Sequence, residues 1–76
     1  MIMYDYILTH YARQRMRERN IAIKELEDVL KSPDFSYPGK YKEINAVKKI
    51  EDGRNIRVVF KKEDGIKIII TAMVLE

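Results

Sequence analysis

A chain of 76 residues with a formal charge of +3 has room for one hydrophobic core, so residues 1–76 are read as a single domain. The absence of cysteine excludes disulfides, thiolate metal sites and cysteine nucleophiles. The longest apolar run, residues 68–75, is interrupted by Thr71 and falls short of the roughly 20 residues of a spanning helix, and the N-terminus has no basic signal-peptide region, so the expected location is the cytoplasm without a membrane partner.

The stretch Tyr4 to Leu8 carries the aromatic and branched side chains of a short strand. Thr9 is a good N-cap, and His10 to Arg19 holds no Gly, Pro or β-branched residue, which predicts a first helix. Asn20 suits the left-handed position that ends it, with Ile21 supplying the accompanying apolar contact. Ile23, Leu26, Val29 and Leu30 then recur at helical spacing up to Ser32-Pro33. Ala22 offers no side-chain oxygen, so tertiary packing is expected to hold the first turn of this second helix.

A loop containing Pro38-Gly39 is expected next, followed by three strands joined at Asp52-Gly53 and Asp64-Gly65, both strong hairpin signals. The strand from Tyr41 to Ile50 has the weakest pattern, and its lysines mark it as an edge. In the middle strand Ile56, Val58 and Phe60 alternate with Arg57, Val59 and Lys61. Strict alternation in the last strand puts Ile66, Ile68, Ile70, Ala72 and Val74 on one face and Lys67, Ile69, Thr71 and Met73 on the other. The fold class is therefore α+β: a short N-terminal strand and two helices packed on one face of a three- to four-stranded antiparallel sheet. Arg57, Lys67 and Thr71 are expected to line the face left open.

Charge is clustered along the chain. Residues 10–24 hold Arg13, Arg15, Arg17, Arg19 and Lys24 against Glu18 alone, residues 25–36 are acidic, and residues 40–62 are basic again. Such clusters attract polyanions, which makes Arg13, Arg17, Lys48, Lys49 and Lys67 candidate nucleic-acid contacts. A plainly solvated surface accounts for the same charges, and Arg15 and Arg19 could instead pair with the acidic second helix or with loop carbonyls.

The lone histidine, His10, cannot build a metal site unaided, and His-x-x-x-His, Gly-rich phosphate loops and Gly-x-Ser-x-Gly are all missing. No metal and no cofactor are expected. The Arg, Lys, Tyr and His that remain suit metal-independent RNA cleavage, in which the neighbouring 2′-OH attacks the phosphate while the protein moves protons and stabilises charge.

The segment from Thr9 to Ile21, with Asn55-Ile56-Arg57-Val58-Val59-Phe60 and Ile69-Ile70-Thr71 downstream, resembles the family called domain of unknown function 4258. That family looks like a branch of the RelE and BrnT toxin superfamily. The resemblance implies a RelE-like fold and a hydrolase of a toxin-antitoxin system, an RNA-binding endoribonuclease. The implied partners are messenger RNA or the ribosome, a cognate antitoxin and a second copy of the chain. The family pattern places a histidine before the alanine, followed by arginines at four-residue steps; here Tyr11 precedes Ala12, with Arg15 and Arg19 on the same helical stripe. A phenol, with an ordinary pKa of about 10, is a poorer base than imidazole. His10 lies about 100° around the helix from Tyr11. The expected catalytic set is thus Tyr11, His10, Arg15, Arg19 and Arg57. A non-catalytic nucleic-acid-binding module is the rival reading, and a protein-interaction domain or inactive homologue is the third.

Overall fold

The computed structural model describes residues 5–75, and Tyr4, expected to start the first strand, lies outside them. The elements are β1 (Tyr6–Leu8), α1 (His10–Glu18), α2 (Ile23–Lys31), β2 (Phe35–Pro38), β3 (Ile44–Lys49), β4 (Asn55–Glu63) and β5 (Ile66–Leu75). Both helices lie where helical spacing places them. The architecture is α+β, but the sheet has five strands in the order β1-β5-β4-β3-β2, and it is mixed. The expected three- to four-stranded antiparallel sheet is corrected at both margins.

At one margin β1 runs parallel to β5, with Tyr6 opposite Lys67 and Leu8 opposite Ile69. Thr9 fixes where this pairing ends and α1 begins. Its hydroxyl accepts the Ala12 N–H at 3.1 Å, capping the helix, and donates to the Ile69 carbonyl at 2.8 Å. Helix α1 then continues along the side of β5 that β1 leaves uncovered. Its far end closes as expected: Asn20 takes φ 55°, and the N–H groups of Asn20 and Ile21 return to the carbonyls of Arg17 and Met16.

At the other margin Phe35–Pro38 forms β2, where a loop was expected, and β3 is an inner strand, not the edge. Asp34 starts this pairing, donating its N–H to the Val47 carbonyl at 2.8 Å and accepting the Lys49 N–H on its carboxylate at 2.9 Å. Pro38 donates nothing to a ladder, and an edge strand tolerates that. The sequence signal was misleading because Pro38-Gly39 reads as a turn while the aromatics before it number only two.

The last strand departs from strict alternation. Val59 pairs with Thr71 while Phe60 pairs with Ile69, so Ile70 is an extra residue opposite the Val59–Phe60 step. The bulge reverses the face of everything that follows. Ile69 and Ala72, assigned to opposite faces by alternation, are both fully buried in one core with Ala12, Met16, Leu26, Val29, Ile56, Val58 and Phe60. Lys67 consequently lies on the helix-covered side, its ammonium 5.7 Å from the Phe60 ring centroid, and not on the open face.

At the start of the second helix one side chain corrects the expectation and another agrees with it. The Glu25 carboxylate accepts the Ala22 N–H at 2.9 Å, so a side chain does hold its first turn. Arg54 joins that turn to the β3–β4 connection, donating to Glu25 at 2.7 Å, to Asp52 at 2.8 Å and to the Asn20 carbonyl at 3.0 Å. The connection itself bends at Gly53, φ 95°. At the β4–β5 turn Asp64 and Gly65 take φ 51° and 80°, as a type I′ turn requires.

Two outcomes follow. Replacing Thr9 with Ala removes the cap and the shorter of the two bonds to the Ile69 carbonyl, which keeps only the residue-9 backbone N–H at 3.3 Å; urea denaturation is expected to show a loss of about 1–2 kcal/mol, largely restored in Thr9→Ser. The Arg54 N–H, aided by its guanidinium, holds the Asp52 carboxyl below its ordinary value. Its stabilising contribution is complete above the ordinary carboxylate pKa of about 3.9 and fades as pH falls through the lower folded value. Thermal melts between neutral and strongly acid pH should therefore decline less steeply for Asp52→Asn than for the parent.

Candidate nucleic-acid interface

Register assigns the sheet face that the helices leave open. Arg57 is opposite Val47 on β3 and Met73 on β5, and Phe35 is opposite Val47 on β2. The face therefore carries Phe35, Tyr37, Val47, Arg57, Thr71 and Met73, with Lys49 towards one end. Ile7 extends it on β1. It is an apolar surface with Arg57 on its middle strand.

Arg57 is unusual in its partners. One terminal nitrogen donates to the Tyr37 hydroxyl at 3.2 Å and the other to the Met73 sulfur at 2.8 Å, while Nε is buried with no partner. The bond to Tyr37 runs from β4 to β2 and passes over β3. That bridge helps to explain why Asn45 and Val47, on a face no helix covers, are only 7% and 4% exposed. A thioether is a weak acceptor, so the guanidinium, with five N–H donors, is far from saturated. No carboxylate pairs with it among the described residues. Cross-strand pairing with an acidic residue, which would also account for an arginine in mid-strand, does not occur among the described residues.

The α1 stripe meets this face at its margin. Arg19 donates to the Ala72 carbonyl at 3.3 Å, and the next residue along β5 is the Met73 that Arg57 touches. Arg19 and Arg57 thus flank neighbouring residues of one strand. Arg15 is differently occupied: it pairs with Glu18 at 2.6 Å and lies 4.6 Å from the Tyr11 ring centroid. Tyr11 and then Glu18 raise its pKa further above the ordinary arginine value. Arg15 is a permanent cation already partly neutralised. Tyr11 is 51% exposed and offers its ring to solvent beside it.

The other candidates disperse. Arg13 and Arg17 are exposed but lie roughly 160° to 200° around α1 from Arg15, on its opposite flank. His10, also exposed, is about 100° away from Tyr11, so α1 sets imidazole on the flank of Arg13 and Arg17 and away from Arg15 and Arg19. Lys48 projects from the helix side of β3 and donates to the Ser32 carbonyl at 2.8 Å. Lys49, one residue on, shares the face of Arg57. Lys67 is excluded by the bulge. Of the ten candidates, Arg57, Arg19 and Lys49 belong to the open face or its margin, with Tyr11 and Arg15 on the adjoining stripe.

Phe35 and Tyr37 were missed because their segment reads as a loop. Their rings are stacked, with centroids 6.3 Å apart and planes 20° off parallel, and Phe35 is 58% exposed. The signal available was the alternation of two aromatics with Ser36 and Pro38. Among the described residues no three or more His, Asp or Glu are grouped to hold a metal ion, and no helix is long and apolar enough to cross a membrane.

A family model described as Domain of unknown function (DUF4258) matches residues 8–74. No curated protein and no solved structure matches the chain at a significant level.

Proposed function

The chain belongs to the DUF4258 family, and from that premise we propose that it is a toxin-like protein of the RelE and BrnT superfamily that binds single-stranded RNA across its open sheet face. The observation that carries the reading is Arg57: a guanidinium on the middle of an uncovered face, without a carboxylate partner among the described residues and with donors unspent. Phosphate is the ligand such a fork fits best. Arg19 supplies a second cation beside the same strand, and Lys49 a third towards the far end of the face.

The apolar surroundings suit the same ligand. Single-stranded RNA splays its bases out, and these stack on exposed aromatic rings while arginines take the backbone. Phe35 and Tyr37 form one stacking surface and Tyr11 another, on either side of the Arg57–Met73 contact. The RNA would come from messenger RNA or the ribosome, and a cognate antitoxin would cover the same face.

Cleavage without a metal is the catalytic extension of this reading. The ribose 2′-OH would give up its proton and attack the adjacent phosphorus, and the P–O5′ bond would break to leave a 2′,3′-cyclic phosphate. Arg19 and Arg57 would stabilise charge on the phosphorane-like transition state, and the Tyr11 phenol would hand a proton to the departing 5′-oxygen. The position of His10 on another flank favours the non-catalytic alternative, in which the face binds RNA and leaves it intact. An inactive homologue acting through protein contacts remains the third reading, favoured by the exposed Phe35 and Ile7.

Fluorescence anisotropy with a labelled single strand decides between binding and its absence. Arg57→Ala is expected to weaken binding about tenfold and to reduce the salt slope by about 1, with Arg19→Ala acting in the same direction. Glu18→Gln, which releases Arg15, should tighten binding by about twofold. Salt-insensitive association, or an Arg57→Ala variant that binds like the parent, removes the RNA reading. Incubation of RNA with the protein in EDTA, with and without ribosomes, separates the enzyme from the binding module; cleavage that survives Tyr11→Phe would exclude the phenol as the proton carrier.

A further inference from the structure

On the helix-covered side, beyond the end of the core, the β4–β5 hairpin sets Lys62 directly opposite Lys67. Like charges at facing positions repel, and the pair has no ion-pair partner among the described residues. A third lysine, Lys31 from the last turn of α2, lines the same cavity. The cavity measures about 320 Å³ and includes Asp5, Leu30 and Gly65 in its wall, so three ammonium groups stand against one carboxylate. Glu27 accepts the Tyr6 hydroxyl at 2.8 Å and is not part of that wall.

We infer that this cleft is an anion site, separate from the open face, that takes the phosphate group of a small phosphorylated ligand. The hairpin turn keeps Lys62 and Lys67 in register whether or not anything is bound, so their repulsion is built in and a dianion relieves it. Lys31 closes the site from the helix, and the apolar Leu30 and the Tyr6 ring give an attached organic group a surface to lie on. Lysine suits this task because its ammonium binds phosphate as a point charge and needs no fixed approach. Chloride, with a single charge and no fixed set of acceptor oxygens, answers the same three donors poorly.

The test uses the full chain in inorganic phosphate and in sodium chloride of equal ionic strength. Phosphate is expected to raise the Tm above its value in chloride, and amide resonances from Lys62 to Lys67 are expected to move in a saturable manner. Lys62→Gln/Lys67→Gln should weaken phosphate binding about tenfold or more. In chloride alone Lys62→Gln should be at least as stable as the parent, because it removes the repulsion; that guards against a variant that fails to fold. Arg57→Ala should keep the movement of the Lys62 to Lys67 resonances, which reads the cleft separately from phosphate taken by the open face. Equal Tm values in phosphate and chloride, or Lys62 to Lys67 resonance shifts that persist in the double variant, would overturn the site. Displacement of bound phosphate by an oligonucleotide lacking a terminal phosphate would assign the cleft to nucleic-acid backbone and overturn the small-ligand assignment.

Discussion

The extra residue at Ile70 decides what each side of the sheet contains. Before it, Lys67 and Ile69 face the helices; after it, Ala72 and Val74 do. Without the bulge, a strand that buried Ile69 would send Ala72 outward and bring Met73 into the core in its place. With it, Ala72 meets the helix and Met73 is left on the open face as the resting place for Arg57. The same irregularity keeps Lys67 facing Lys62 on the helix side. The candidate RNA face and the lysine cleft are consequences of one backbone feature, on opposite sides of the sheet.

A second constraint sits at Thr9. A parallel strand as short as β1 covers only Lys67 to Ile69 on β5, and the remaining backbone on that side would be an open edge. Thr9 turns the chain so that α1 takes over where β1 stops. Arg19, ten residues later, reaches the Ala72 carbonyl with its guanidinium. Its donation answers a backbone acceptor of β5 and at the same time brings a cation to the margin of the open face. Edge protection and the proposed ligand recognition thus draw on the same side chain.

The sequence was legible wherever a local rule sufficed. Thr9 capping α1, the Asn20 ending, the helical stripe of Leu26 and Val29, the Asp64-Gly65 turn and the outward direction of Arg57 each depend on a few adjacent residues, and each was read correctly. What failed required knowledge of a distant partner. Nothing near Phe35 announces that Asp34 will bond Val47 and Lys49, and nothing near Ile70 reveals that the strand opposite is one residue short. Lys67 was misplaced for that reason alone. Arg15 and Arg19 look alike on a helical stripe, yet Glu18 holds one of them and a β5 carbonyl engages the other.

The open face poses an energetic question that the core does not. A domain this small has a narrow stability margin, and leaving Phe35, Ile7 and the Met73 surface in water contributes nothing to it. An arginine in the middle of that surface adds cost, since its Nε is removed from water without a partner. Two adjustments limit the penalty: Arg57 lies flat towards Tyr37, shielding Asn45 and Val47, and Phe35 stacks on Tyr37. Neither saturates the guanidinium. A ligand that supplied acceptor oxygens to Arg57 and flat apolar groups to the aromatic rings would satisfy both deficits at once, and its binding energy would add directly to the stability of the fold.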